Sequence, residues 1–256
     1  MAYKPFDLTG KVALVTGGNS GIGLGMAEAM AEAGADIAIW GTNAKKNEAA
    51  KSTIAKTGRK VLTLECDVGD EQAVEAAFAK TLDVLGRVDG CFANAGVGGR
   101  APSFLEMTSE EWHRVLRVNL DGVFYTFKAA ARHMVKRGDG GALVGTASLA
   151  AISGQARGQH YAATKGGVIS MIRAMAVEFA RYQIRANAIL PGWIETDMTA
   201  KTFANERFRE KVLPRVPMRR WGESSDFGGI AVYLMSEASR YHSGDTFLID
   251  GAYSIF

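Results

Sequence analysis

Cysteine is nearly absent from this chain: two residues of 256, Cys66 and Cys91. Two thiols make no disulfide framework, and each sits at or beside an apolar run, which reads as a reduced, buried side chain. Long apolar runs are missing as well. No stretch approaches the roughly 18 uninterrupted apolar residues of a membrane span. The opening MAYKPFDLTGK has no apolar core of a secretory signal. The expectation is a cytoplasmic protein without a membrane partner. Charge is nearly balanced, at +3, with no run of one sign, which argues against nucleic acid. His113, His133 and His242 lack histidine or carboxylate neighbours at ligand spacing, so no metal site is expected. Repeats, low-complexity tracts and Pro/Ser linkers are also missing, which points to one domain over residues 1–256.

Apolar runs that alternate with helical patterns are abundant. Strands are expected at 11–16, 36–41, 60–65, 88–93, 141–147, 184–190 and 245–250. Helices are expected near 21–33, 44–57, 70–85, 108–137, 158–182 and 224–236. Such alternation predicts an α/β fold, doubly wound, with a seven-stranded parallel sheet and helices on both faces. Ligands in such folds bind beyond the carboxyl ends of the strands.

The first strand runs into Thr16-Gly17-Gly18-Asn19-Ser20-Gly21-Ile22-Gly23 and then into an Ala-rich helix. Strand, glycine loop and helix form the context of a phosphate-binding turn. Glycine lets a pyrophosphate approach the backbone, and the helix N-terminus offers free N–H groups to it. The spacing is T-G-x-x-x-G-x-G, with Gly17, Gly21 and Gly23.

Tyr161 and Lys165 stand one helical turn apart in YAATK, thirteen residues after Ser148. A tyrosine is a poor base at its ordinary pKa of about 10. A lysine on the same helix face favours the phenolate, and a serine hydroxyl can bond the same substrate oxygen. Together they suit proton transfer to or from an alcohol that exchanges hydride. His160 abuts Tyr161, one step off that face, as a packing residue or a substrate contact.

These motifs together resemble the short-chain dehydrogenase/reductase family over nearly the whole chain. The matching segments are TGGNSGIG, Asn94-Ala95-Gly96, Asn119 in RVNLDGVF, the Ser148-Tyr161-Lys165 set and Pro191-Gly192-Trp193-Ile194-Glu195-Thr196, in the family's order. The resemblance implies a Rossmann-fold oxidoreductase that moves hydride between a nicotinamide and a ketone or secondary alcohol. It makes Tyr161 the general acid/base, with Lys165 tuning it and holding the nicotinamide ribose. Ser148 would orient the substrate oxygen, and Asn119 would anchor a water that relays protons to Lys165. The cofactor set it implies comprises Gly17, Asn19, Ser20, Gly21, Ile22, Gly23, Thr42, Asn43, Asp67, Val68, Asn94, Ala95, Gly96, Tyr161, Lys165, Pro191, Gly192, Ile194 and Thr196. Asp67 would meet the adenine amino group, or else cap the following helix. Thr196, with backbone at Ile194, would hold the carboxamide. A regulator that has lost catalysis and an epimerase or dehydratase are the alternatives.

The end of the second strand bears on NAD against NADP. An acid there bonds the 2′-hydroxyl of NAD and repels a 2′-phosphate. Here Gly41 holds that place, with Thr42 and Asn43 after it. Repulsion is absent, as is the usual arginine; Lys45 and Lys46 begin the next helix. The balance favours NADP, with use of both left open.

Residues 193–222 are richer in charge and proline: Pro214, Pro217 and Arg at 207, 209, 215, 219 and 220. A loop with a short helix near 203–213 is expected there, where the family places its substrate-side flap. PGWIETDM resembles the bacterial 3-oxoacyl-[acyl carrier protein] reductase branch. The substrate is therefore a small ketone or alcohol, or an acyl chain on a carrier, for which Arg132 and Arg181 could form a basic patch. The apolar stretches of the 108–137 and 158–182 helices and the tail at 251–256 predict a homotetramer.

Overall fold

The computed structural model describes residues 3–256. Seven strands form, all parallel: β1 (Val12–Thr16), β2 (Asp36–Gly41), β3 (Val61–Glu65), β4 (Gly90–Ala93), β5 (Gly141–Thr146), β6 (Ile184–Pro191) and β7 (Thr246–Ile249). Their order across the sheet is β3-β2-β1-β4-β5-β6-β7. The order reverses between β1 and β4, and this is where a cleft opens at the carboxyl ends of a parallel sheet.

The helices are α1 (Gly21–Glu32), α2 (Ala44–Ile54), α3 (Glu71–Leu85), α4 (Ser109–Leu116), α5 (Gly122–Arg137), α6 (Gln159–Phe179), α7 (Ala200–Phe203), α8 (Glu206–Val212) and α9 (Gly228–Met235). Side chains along each strand alternate between two cores, as the two-residue repeat requires. Ala13, Val15, Ile37 and Ile39 pack with α1, α2 and α9. Leu14, Ala38 and Trp40 pack on the opposite face with α3, α5 and α6. Trp40 is fully buried and donates its indole N–H to Thr81 at 3.1 Å.

The expected elements form with two differences that matter for the site. The single helix expected over 108–137 is broken by a π-helical turn at Arg117–Asp121, between α4 and α5. Such a turn inserts a residue into the helical ladder and is common at functional sites. Helical periodicity persists through it, so the apolar pattern does not show it. The short helix expected near 203–213 is two, α7 and α8, and Asn205 caps the second through Phe208 N–H.

The segment after β6 leaves the sheet at Trp193 and returns at Gly222. Its two ends are tied by Glu195 N–H to the Gly222 carbonyl at 2.8 Å and Gly222 N–H to the Trp193 carbonyl at 2.9 Å. Within it Phe203 stacks on Trp221 at 4.4 Å between ring centres, and Trp193 meets Phe208 edge-on at 5.0 Å. This stretch, rich in Arg and Pro, therefore holds an aromatic cluster of its own. Among the described residues no helix is long and apolar enough to cross a membrane.

Candidate active site

The loops after β1, β4, β5 and β6 enclose one cleft of about 550 Å³. Every site residue expected from sequence lines it except Gly23 and Asn119, which stand behind its wall. The Thr16 hydroxyl, at the end of β1, accepts N–H bonds from Asn94 and Ala95, each at 3.0 Å. The Asn94 amide returns a bond to the Thr16 carbonyl at 3.2 Å. These bonds lock the β1 and β4 loops together at the switch in strand order. Thr16, which opens the T-G-x-x-x-G-x-G motif, is a structural member of the site to which the motif by itself assigns no role.

The glycine loop fits a dinucleotide. A Cβ at Gly23 would lie 2.4 Å from the Gly17 carbonyl oxygen and 2.5 Å from the Asn94 amide nitrogen, so only glycine lets α1 begin this close to β4. Ser20 stands at the N-cap of α1 but makes no side-chain cap bond. Its hydroxyl and the first N–H groups of the helix are thus available to an anion in the cleft.

At the far end stand Ser148, Tyr161 and Lys165. Lys165 is 4% exposed, its ammonium donates to the Thr146 carbonyl at 2.7 Å, and it lies 5.6 Å from the Tyr161 ring centre. Burial pulls its pKa down to about 8, because a charge removed from water is disfavoured. Burial likewise pushes the Tyr161 phenol up, and the Ser148 hydroxyl draws it partway back. The Ser148 hydroxyl, and not Lys165, opposes burial at the phenol in this structure. Asn94 and Lys165 meet at the same residue, since the Thr146 hydroxyl donates to the Asn94 side-chain oxygen at 3.2 Å.

Three residues make contacts that the sequence did not specify. Asn119, in the π turn, accepts from Val97 N–H at 2.8 Å and donates to the Val97 carbonyl at 2.9 Å. Both ends of its amide are engaged, so the side chain braces the loop after β4. Asp67 accepts from Gly69 N–H at 2.9 Å and from Arg117 at 2.8 Å. The cap of α3 is Asp70, which accepts from Gln72 and Ala73, so the capping alternative for Asp67 fails. His160 is fully buried and faces Glu111 at 3.2 Å, which removes it as a substrate contact.

Gly41 is more constrained than its sequence position suggests. A Cβ there would sit 2.2 Å from the Asn19 amide nitrogen and 2.7 Å from the Asn47 side-chain oxygen. Asn19 donates to Asn47 at 2.7 Å, and Asn47 donates to the Gly41 carbonyl at 2.9 Å. The place of an acid is filled by an amide pair that ties the glycine loop to α2. Asn47 was not legible as a site residue, because it falls on the buried side of an otherwise polar helix.

Thr199 organises the turn after β6. Its hydroxyl accepts from Thr196 N–H at 3.0 Å and donates to the Ile194 carbonyl at 2.6 Å. The two cysteines are buried and unpaired, and burial holds the Cys66 thiol at about 11. No cluster of metal-ligating side chains occurs among the described residues.

The family described as enoyl-(acyl carrier protein) reductase matches residues 17–254. The chain is 36% identical to the 2-dehydro-3-deoxy-D-gluconate 5-dehydrogenase of Escherichia coli, over 99% of each. It is 35% identical to a 3-oxoacyl-[acyl-carrier-protein] reductase of Chlamydia pneumoniae, over 95% of this chain and 97% of that one. The chain belongs to the short-chain dehydrogenase/reductase family. A short-chain dehydrogenase/reductase solved from Burkholderia cenocepacia, a gluconate 5-dehydrogenase in complex with NADP and tartrate, superposes with a TM-score of 0.93 at 34% identity, covering 98% of both chains. As a member of this family the protein is an NAD(P)-dependent oxidoreductase acting between secondary alcohols and ketones.

Proposed function

We propose that the chain works as one dinucleotide-binding domain whose 193–222 segment flanks a site for a small polar ketone or secondary alcohol, with NADP as the preferred cofactor. The observation that carries this reading is the convergence of Ser148, Tyr161 and Lys165 on the cleft whose other end is the glycine loop. The bound nicotinamide supplies or accepts the hydride. Tyr161 delivers the proton to the carbonyl oxygen in reduction and removes it in oxidation. The Ser148 hydroxyl orients that oxygen. Lys165, charged at neutral pH and bonded to Thr146, favours the phenolate as the proton leaves. Asn119 acts as a positioning residue through Val97.

Two things favour a sugar-acid type of substrate over a carrier-borne acyl chain. Several relatives carry gluconate or deoxygluconate names. Arg100 and Arg157 also stand exposed on the loops after β4 and β5, outside the cleft lining and joined by Ala101 N–H to the Arg157 carbonyl at 3.0 Å, as cations for a substrate carboxylate. The carrier reading drew on Arg132 and Arg181. Arg132 is paired with Glu75 at 3.0 Å. Arg181 lies over the Tyr182 ring at 4.8 Å, past the end of α6 and roughly 30 Å of helix from Tyr161 at 1.5 Å per residue.

A cytoplasmic homotetramer completes the reading. Phe124 and Val177, on α5 and α6, are 47% and 82% exposed. Ile255 and Phe256 at the tail are exposed as well, as a self-complementary interface requires. The test of the function is a panel of hydroxy and keto sugar acids, simple ketones and carrier-linked 3-oxoacyl chains, followed by nicotinamide absorbance with each cofactor. Turnover confined to carrier-linked substrates would reject the sugar-acid reading.

A further inference from the structure

The adenosine end of the cleft holds one cation that bears on cofactor choice, and that cation is already paired. Three cationic side chains line the cleft: Lys46, Arg117 and Lys165. Lys165 is at the nicotinamide end and bonded to Thr146. Arg117 is bonded to Asp67 at 2.8 Å. Lys46 belongs to the first turn of α2, directly after Thr42 and Asn43, and the cap bond from its own N–H to the Asn43 side chain at 3.0 Å fixes that turn. Lys45, its neighbour, does not line the cleft.

The Lys46 ammonium reaches across the cleft to Asp197, at 2.7 Å. Asp197 follows Thr196, in the turn on the opposite wall. The two residues are 151 positions apart in sequence and are joined only by folding. Both are substantially exposed, at 46% and 72% for the side chains, so solvent screens the pair and it is worth little by itself. A small worth is what a competitor needs, because a ligand can then displace it.

We propose that Lys46 reads the 2′-phosphate of NADP and that Asp197 is its built-in competitor, so that this ion pair sets how strongly NADP is preferred over NAD. The inference rests on the dinucleotide reading of the cleft. A phosphate monoester carries nearly two negative charges at neutral pH, against one on Asp197, so Lys46 exchanges the carboxylate for the phosphate. The 2′-hydroxyl of NAD has no charge to offer, and the pair with Asp197 persists beside it. The residues around the end of β2, Asn19, Gly41, Thr42 and Asn43, are neutral, and Arg117 is balanced by Asp67, so selectivity falls to Lys46 and whatever competes for it.

The test uses two half-ligands that fill the adenosine end and differ only in the 2′-phosphate, 2′,5′-ADP and 5′-AMP, with dissociation constants from calorimetry on the full chain. Wild type is expected to bind 2′,5′-ADP more tightly than 5′-AMP. Lys46→Gln should remove roughly a tenfold part of that preference, as loss of a charge-assisted contact does. Asp197→Asn should widen the preference by roughly threefold, the scale of an exposed ion pair, with 5′-AMP affinity unmoved. In the double variant the Asp197 effect should vanish, since the competitor no longer has anything to compete for. An unchanged ratio in Asp197→Asn overturns the proposal. So does an equal Asp197 effect with and without Lys46, which would make it a remote charge effect. Failure of wild type to bind either half-ligand would reject the dinucleotide reading itself, whereas binding of both with an unaltered ratio rejects only the competition.

Discussion

The Lys165 ammonium and the Thr146 carbonyl oxygen are 2.7 Å apart, which places the charge that serves Tyr161 on the end of β5. The bond anchors a buried cation to a strand whose hydroxyl also meets Asn94. The proton-transfer end of the cleft and its dinucleotide end therefore share one residue, Thr146.

Burying Lys165 has a cost that depends on pH. Its folded pKa of about 8 lies below the ordinary lysine value of about 10.4. Between these values the unfolded chain binds the extra proton, so stability contributed at this site rises with pH across that window. Below about pH 8 the cost is present in full. Lys165→Met should therefore stabilise the cofactor-free protein at pH 7, by about 2 kcal/mol once the lost bond to Thr146 is subtracted, read as a higher Tm. The gain should shrink between pH 8 and 10.5. A gain that stays constant with pH would contradict the burial argument.

Tyr161→Phe deletes the phenol proton and little else. Turnover should fall by roughly 10² to 10⁴-fold, while titration of NADP against protein fluorescence shows binding retained. A variant that keeps a tenth of the activity would exclude Tyr161 as the acid/base.

Asn119→Ala leaves the Val97 N–H and carbonyl without partners. The expected cost is about 1–3 kcal/mol, read as a lower Tm, accompanied by a reduced kcat because the loop after β4 loosens. Ser148→Ala should lower kcat with Tm almost unmoved. Equal Tm in the two variants would show that Asn119 does not brace the loop.

Gly41→Asp is expected to weaken both cofactors. The new Cβ would collide with the side-chain amides of Asn19 and Asn47, so the bond that ties the glycine loop to α2 must break before the carboxylate can discriminate. Dissociation constants for NAD and NADP would both rise by tenfold or more. A loss confined to NADP would show that the amide pair yields easily and that the position works as sequence reading alone suggests.

Assembly can be checked by light scattering at micromolar protein. A tetramer is expected, and a mass near the single-chain 27.4 kDa would reject it. Removing residues 253–256 should weaken the assembly if the exposed Ile255 and Phe256 are interface residues.

The sheet, its strands and the cleft residues Gly17, Asn94, Ser148, Tyr161 and Thr196 were legible in the sequence, because each belongs to a local pattern. Apolar runs report burial, glycines report a turn, and a Tyr and Lys four apart report a shared helix face. The break in the strand–helix pattern at residues 193–222 was legible from its charge and proline content, and backbone bonds of Gly222 to Trp193 and Glu195 close that segment. Local pattern could not distinguish a helix from the π turn at Asn119, since both keep apolar residues on one side. Nor could it assign the cap of α3 between Asp67 and Asp70, which are three residues apart with acids all around.

The sequence by itself determined the fold class and, through the resemblance of its motifs to a known family, the reaction class, since these depend on short-range spacing and on the backbone freedom of glycine. Tertiary structure alone decided what those residues touch. Asn119 bonds Val97, Asn19 and Asn47 close the space over Gly41, His160 is sealed against Glu111, and Lys46 meets Asp197. Each of these contacts joins segments from about twenty to 151 residues apart. Nothing in a local pattern encodes which polar group a side chain will reach, because that is settled only when the strands align and bring the loops at their carboxyl ends together.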